Sequence, residues 1–216
     1  MSYLKNVNTW LEKNCYSLTD FNNLQDLQKI KEEQNHTVSV VIPTLEEEST
    51  IENVLTYLIN KLVIENQIID ELVVIDGGSK DDTISKVLKL KEKYDKHIMF
   101  YSQDQILSDF CMHKGKGEAL WKSLYVTKGD IVIYSDSDIK NFDERFVVGI
   151  LGPLLINEKI KFVKGYYNRP LITSKDTRSN EGGRVTELCA RPLLNVLYPE
   201  LSGFIQPLGG EYGGFR

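Results

Sequence analysis

The sequence predicts an α/β fold: a doubly wound, mainly parallel sheet flanked by helices and preceded by N-terminal helices. Three observations carry that reading. From Thr37 onward, apolar runs of strand character alternate with amphipathic helical stripes, the texture of successive βαβ units. Three of the apolar runs end in short polar segments that carry carboxylates, and in such sheets ligands bind beyond the carboxyl ends of the strands. The length, 216 residues with 41% hydrophobic and 26% charged, suits one substantial core and is short for two domains.

Taken in order, Leu4, Val7, Trp10 and Leu11, then Phe21, Leu24, Leu27 and Ile30, recur at three- and four-residue steps and predict two short amphipathic helices. Residues 1–36 are accordingly read as an N-terminal helical extension and 37–216 as the main domain. Val38 to Ile42 reads as a strand, and Ile51, Val54, Leu55, Leu58, Ile59 and Leu62 form the stripe of the helix after it. Leu72 to Ile75 is a second strand, followed by a helix capped within Ser79 to Asp82 whose apolar face includes Ile84, Val87 and Leu88. Ile98 to Tyr101 is a candidate third strand. A helix beginning near Gly117 carries Ala119, Leu120, Trp121 and Leu124, and Ile131 to Tyr134 then leads into Asp136 and Asp138.

Charge and cysteine usage exclude several classes. A formal net charge of −5 gives no general affinity for nucleic acid or for an anionic membrane, so any basic site must be local. Cys15, Cys111 and Cys189 have neither zinc-site spacing nor the pattern of a disulfide framework, and read as thiols in a reducing compartment. Met1 to Leu11 has no continuous apolar core of a signal peptide, and no apolar run is long enough to span a bilayer. The expected setting is cytoplasmic, with no membrane and no nucleic-acid partner.

The run Asp130-Ile-Val-Ile-Tyr-Ser-Asp136-Ser137-Asp138 delivers two carboxylates, one residue apart, at the end of a strand. A hard cation such as Mg²⁺ or Mn²⁺ needs anionic oxygens on one side and free positions for substrate phosphates on the other. Asp and Ser also make ordinary turns and helix caps, so the pair alone leaves both readings open. Agreement among three loops, carrying Glu47, then Asp76 and Ser79, then Asp136 and Asp138, favours a nucleotide site.

Val40-Val-Ile-Pro-Thr-Leu-Glu-Glu-Glu48, Val74-Ile-Asp-Gly-Gly-Ser-Lys-Asp-Asp82 and Ser135-Asp-Ser-Asp138 resemble the nucleotide-binding loops of GT-A (Rossmann-like) glycosyltransferases. Gly115-Lys-Gly-Glu-Ala-Leu-Trp121, Gly182-Gly-Arg-Val-Thr-Glu-Leu188 with Ala190-Arg-Pro192, and Gln206-Pro-Leu-Gly-Gly-Glu-Tyr212 narrow the resemblance to the glucosyl-3-phosphoglycerate synthase family of retaining enzymes, over about Val38 to Tyr212.

The resemblance implies transfer of glucose from a nucleotide donor, usually UDP-glucose, to the 2-hydroxyl of 3-phosphoglycerate, on the way to the compatible solute glucosylglycerate. By motif position Pro43, Leu45, Glu47 and Ser79 would contact the uridine, Lys116 the nucleotide end of the donor, Asp136 and Ser137 the length of the nucleotide, and Leu208 the transferred sugar. Asp138 would be the metal ligand, for Mg²⁺ or Mn²⁺. Gly183, Arg184, Val185 and Thr186 would hold the phosphoglycerate. The resemblance also implies a homodimer, which the N-terminal helices are available to build. Relatives normally continue well past the Gly-Gly-Glu-Tyr segment, into a stretch with a histidine that completes the metal site, whereas this sequence stops at Arg216. Glu46 stands where the family usually has Asn, and Gly77 where Ser is common.

The residue chemistry fits that assignment. A departing diphosphate gains negative charge, which a cation and Lys116 stabilise more in the transition state than in the ground state. Arg184, at the start of a predicted helix, offers an anionic acceptor both charge and free N–H groups, and Arg169, Arg178 and Arg191 are candidate additions to that pocket. Retention can proceed by front-face attack with the leaving oxygen accepting the acceptor's proton, so no protein nucleophile is nominated; Glu187 and Glu211 carry no feature that singles them out. His36, His97 and His113 show no ligand spacing with the Asp pair. Two other classes stay open: a nucleotide-sugar-binding module without catalysis, and a polyprenyl-phosphate glycosyltransferase. The base, uracil or guanine, is left undecided.

Overall fold

The structure is a computed structural model and describes residues 2–110, 113, 115–167, 171–172, 177–178 and 183–216. In chain order the elements are α1 (Ser2–Asn14), α2 (Leu24–Glu33), β1 (Val38–Thr44), α3 (Ile51–Tyr57), β2 (Glu71–Asp76), α4 (Thr83–Lys93), β3 (Ile98–Ser102), α5 (Lys116–Val126), β4 (Ile131–Tyr134), α6 (Arg145–Ile156), β5 (Phe162–Lys164), β6 (Leu171–Ile172), β7 (Thr177–Arg178), α7 (Arg191–Leu197) and β8 (Tyr212–Phe215). They form two compact units, one of Leu18–Val163 with Gly210–Arg216 and one of Met1–Ser17 with Lys164–Gly209.

A six-stranded sheet of order β3-β2-β1-β4-β8-β5 is the frame of the first unit. β1 pairs in parallel with β2 and β4, and β2 with β3, whereas β8 runs antiparallel to β4. β1 and β4 are buried along their whole length, as expected of parallel strands covered on both faces. The two-residue side-chain period sorts them. Val41, Val73, Ile75, Val132 and Tyr134 pack with Ala119 and Leu120 of α5 on one face, while Ile133 lies on the other with Ile150 of α6. The predicted alternation is therefore the observed one, with β4 falling on Ile131–Tyr134.

The helix after β1 departs from the sequence pattern. The stripe expected to form one helix from Ile51 to Leu62 is α-helical only to Tyr57 and continues as a π-helix from Leu58 to Glu65, its Leu58, Ile59, Leu62 and Val63 still buried. The cap of α4 lies within Ser79 to Asp82 as expected. Asp82 holds the cap position without using its side chain, and Asp81 Oδ1 accepts the Thr83 N–H at 3.0 Å.

Before the sheet, α2 is tied down by Lys31. Its ammonium is almost fully enclosed and donates to Asp70 (2.8 and 2.9 Å) and to the carbonyls of Gln67 and Ile68, while Asp70 also accepts the Val38 N–H at 2.7 Å. The charge is thus paired and its protons satisfied, which a buried ammonium requires.

The second unit holds α1, the β6–β7 pair, a π-helical turn at Thr186–Ala190 and α7. Trp10 lies flat against Gly203, where any side chain would collide with the indole. No helix among the described residues is long and apolar enough to cross a membrane.

Candidate functional site

The strand order puts the topological switch point between β1 and β4: connections leave β1 toward β2 and β3, then return to β4 on its other side. Pairing of β1 with β4 runs only from Val38 to Val41, so beyond it the two chains separate. Pro43, which has no N–H to give, lies past the last β4 pair, where a proline costs the ladder nothing. A cleft of about 260 Å³ opens there. Pro43, Thr44, Leu45 and Glu47 from the β1 loop line it, with Gly77 after β2, Gln103 after β3, Gly115, Lys116 and Ala119 at the start of α5, and Asp136, Ser137 and Asp138 after β4.

Of the residues expected at a donor site, Pro43, Leu45, Glu47, Lys116, Asp136, Ser137 and Asp138 thus meet in one cleft. Ser79 is not among its lining residues. Its hydroxyl donates to Asp76 Oδ1 (2.5 Å) and accepts the Glu46 N–H (2.9 Å), and Asp76, fully buried, also accepts the N–H groups of Gly78 and Ser79 at 2.8 and 3.0 Å. Both side chains are occupied in shaping the loop. The same two loops are cross-linked further by Glu47 N–H to Thr83 Oγ1 (2.8 Å), Asp82 N–H to Glu48 Oε2 (3.0 Å) and Lys86 Nζ to the Glu48 carbonyl (2.6 Å). Across the crevice Ser137 Oγ donates to the Pro43 carbonyl at 3.0 Å, which ties the β4 loop to the β1 loop.

Glu46 sits at φ 58°, in the left-handed region, where asparagine and glycine are favoured and a glutamate is strained. The asparagine that the family resemblance implies here would relieve that strain. Glu46→Asn is expected to stabilise the chain by about 0.5–1 kcal/mol, a rise in Tm of about 1–4 °C by calorimetry. A fall in Tm would mean that the Glu46 side chain makes a contact outweighing the backbone strain.

Among the described lining residues, the cleft is a set of carboxylates with one cation, Lys116. Lys116 Nζ is ion-paired with Asp136, both side chains remaining partly accessible. Burial, then the nearby charges of Asp138, Asp81 and Asp136, push the Glu47 carboxyl above the usual range, the Thr50 hydroxyl opposing them. Gly210 lies directly on Asp136: a Cβ there would collide with both carboxylate oxygens. Next to it, Tyr212 has its phenol pushed up to about 12 by burial and by the neighbouring Tyr134 and Asp136. Sequence reasoning missed Gln103, Thr44, Gly77 and Gly210, although Gln103 obeys the rule that pointed to the other loops, since it directly follows the carboxyl end of a strand.

Hard oxygen donors converging here fit a divalent cation that keeps most of its coordination for phosphate oxygens. Asp138 is exposed on the cleft wall, and Asp136 is shared with Lys116. Among the described residues no group of three or more His, Cys, Asp or Glu is arranged as a complete metal cage.

The residues expected at the acceptor belong to the other unit. Gly183 has φ 81°, Arg184 is exposed, Val185 is largely exposed and Thr186 is buried. Arg191 is engaged by Glu187 at 2.9 Å, Leu208 is exposed, and Arg178 lies in β7. Arg169, Gly182 and Cys111 lie outside the described residues.

Comparison with known proteins gives the lineage. Residues 39–154 match the family "Glycosyl transferase family 2". The glucosyl-3-phosphoglycerate synthase of Petrotoga mobilis is 44% identical over 204 residues, which are 94% of this chain and 61% of that protein. The crystal structure of mannosyl-3-phosphoglycerate synthase from Rubrobacter xylanophilus superposes with a TM-score of 0.83 at 35% identity, covering 97% of this chain and 63% of the other. Glucosyl-3-phosphoglycerate synthase of Mycobacterium tuberculosis in complex with Mn²⁺, UDP-glucose and phosphoglyceric acid superposes at 0.72 with 41% identity, covering 90% and 61%. The chain spans less than two thirds of each of these proteins. A mostly parallel sheet opening at its switch point onto paired carboxylates is the GT-A architecture of these neighbours, and by its sequence match over residues 39–154 the chain belongs to glycosyl transferase family 2.

Proposed function

We propose that this chain transfers glucose from UDP-glucose, or another NDP-glucose, to the 2-hydroxyl of 3-phosphoglycerate, with retention at the anomeric carbon. The observation that carries the proposal is the cleft in which Lys116, Asp136 and Asp138 converge at the switch point, in a chain related over most of its length to glucosyl-3-phosphoglycerate synthases.

In this reading Asp138, with Asp136 beside it, holds a divalent cation, Mg²⁺ or Mn²⁺; when bound, the cation neutralises charge on the leaving diphosphate. Lys116 leaves Asp136 for the diphosphate as the donor enters, and its charge counts most as the glycosidic bond to the phosphate breaks. Pro43, Leu45 and Glu47 wall the nucleoside. Ser79 fixes the loop that carries them. Gly183, Arg184, Val185 and Thr186 take the phosphoglycerate, Arg184 by charge-assisted hydrogen bonds to its anionic groups, and Leu208 lies beside the sugar. The leaving oxygen of the diphosphate accepts the proton of the attacking hydroxyl, so no side-chain nucleophile is assigned.

Incubation of the chain with UDP-glucose, 3-phosphoglycerate and Mg²⁺ is expected to yield glucosyl-3-phosphoglycerate, detected by mass spectrometry. A folded chain that binds UDP yet forms no product would be a donor-binding module, and the transferase reading would fail.

A further inference from the structure

We propose that Gln103 reads the base of the nucleotide donor, accepting a hydrogen bond from a ring N–H that stands beside a carbonyl, the lactam edge shared by uracil and guanine and absent from cytosine and adenine. The inference rests on the donor-cleft reading above and adds to it a residue that selects the base.

Gln103 lines the cleft yet is only 3% exposed, so its amide is held inside the wall. Its Nε2 donates to the His113 carbonyl at 3.0 Å, and since that carbonyl needs a donor the orientation of the amide is set. The acceptor Oε1 is left over, and it has no hydrogen-bond partner among the described residues. A buried acceptor without a partner is costly, and one beside a cleft is most simply satisfied by what the cleft binds.

The backbone around it is fixed as well. Lys122, completely buried in α5, donates to the Gln103 carbonyl at 3.1 Å and pairs with Glu118 at 3.2 Å. A buried lysine that donates to this main-chain oxygen anchors Gln103 at the edge of the cleft, at the head of the short turn that follows β3.

Place along the sheet edge identifies which part of the donor arrives there. With the order β3-β2-β1-β4, Gln103 follows β3 and Asp136 follows β4, three strand spacings away, roughly 14 Å. That is comparable to the reach of a nucleoside diphosphate from its phosphates to the far edge of its base. Diphosphate at Asp136 and Asp138 therefore brings the base toward Gln103. Between them lie Gly77, which has no side chain to obstruct a flat ring, and Thr44, 4% exposed, whose Oγ1 also lacks a partner among the described residues. A hydroxyl and an amide oxygen are the complement of a carbonyl beside an N–H.

Titration calorimetry on the whole chain with UDP, CDP, 3-methyl-UDP and GDP in Mg²⁺ tests this. UDP is expected to bind at least about tenfold more tightly than CDP or 3-methyl-UDP, neither of which has the ring N–H. GDP tells which base supplies the edge: tighter binding than UDP would assign guanine. Gln103→Leu is expected to weaken the preferred nucleotide about tenfold and to leave CDP and 3-methyl-UDP nearly unchanged. Equal wild-type affinity for UDP, CDP and 3-methyl-UDP, without tighter GDP binding, overturns the proposal. So does a Gln103→Leu variant that weakens all four alike, which would make the residue a wall only. If that variant does not fold, Gln103→Met, nearer in shape, takes its place with the same two outcomes. Failure of every nucleotide to bind would overturn the donor-cleft reading together with this inference.

Discussion

Asp138→Ala is expected to lower glucosyl transfer by about 10²–10³-fold, the loss typical of removing one preorganised electrostatic partner from a charged transition state. The fold should be untouched. Asp138 is exposed, and no hydrogen bond or ion pair ties it to another described residue, so its replacement leaves no buried group without a partner. The variant should melt within a few degrees of the parent, and in Mn²⁺ titrations followed by electron paramagnetic resonance it should lose the ion bound in the presence of UDP. Unchanged turnover would remove Asp138 from the chemistry. A large drop in Tm would instead make it a structural residue.

The second large effect is expected at Gly210. A methyl group there has nowhere to go, because the atoms it would strike are the two carboxylate oxygens of Asp136, at the end of a short side chain already paired with Lys116. Either Asp136 rotates off Lys116 or the start of β8 moves away from β4. Overpacking of this kind costs about 1–3 kcal/mol, and the displaced carboxylate should reduce turnover by about tenfold or more at the same time. Gly149→Ala is the matching control, since its Cβ would rest 3.8 Å from Leu18 Cδ1 in ordinary contact, on a helix where alanine is preferred to glycine. It should hold or raise Tm with turnover retained. If Gly210→Ala behaves like Gly149→Ala, the seating of Asp136 against the glycine does not matter to the site.

Much of the architecture was legible in the residues because parallel strands buried on both faces write themselves as unbroken apolar runs. Val38 to Ile42, Leu72 to Ile75 and Ile131 to Tyr134 all proved to be strands of one sheet. The carboxylates near their ends were legible for the same reason, each following within a few residues of such a run. What escaped were contacts between distant segments. Ser79 looked like a ligand residue and turned out to have its hydroxyl engaged by Asp76 and Glu46, a network that exists only when two loops are side by side. Gly210 and Asp136 are far apart in sequence and meet only because β8 enters antiparallel beside β4. The π-helical turn after α3 leaves the apolar stripe intact, so nothing in the spacing announces it.

The antiparallel insertion of β8 also sets an order of events in folding. Its partners on β4 lie roughly eighty residues earlier, so β8 is made only after β1, β2, β3 and β4 are complete. During synthesis the parallel strands can assemble while Gly210–Arg216 is still unmade, leaving one edge of β4 open and Asp136 without the glycine that seats it. The donor cleft is therefore completed only once Gly210–Arg216 has been made, and a nascent chain should acquire nucleotide affinity only after β8 has left the ribosome.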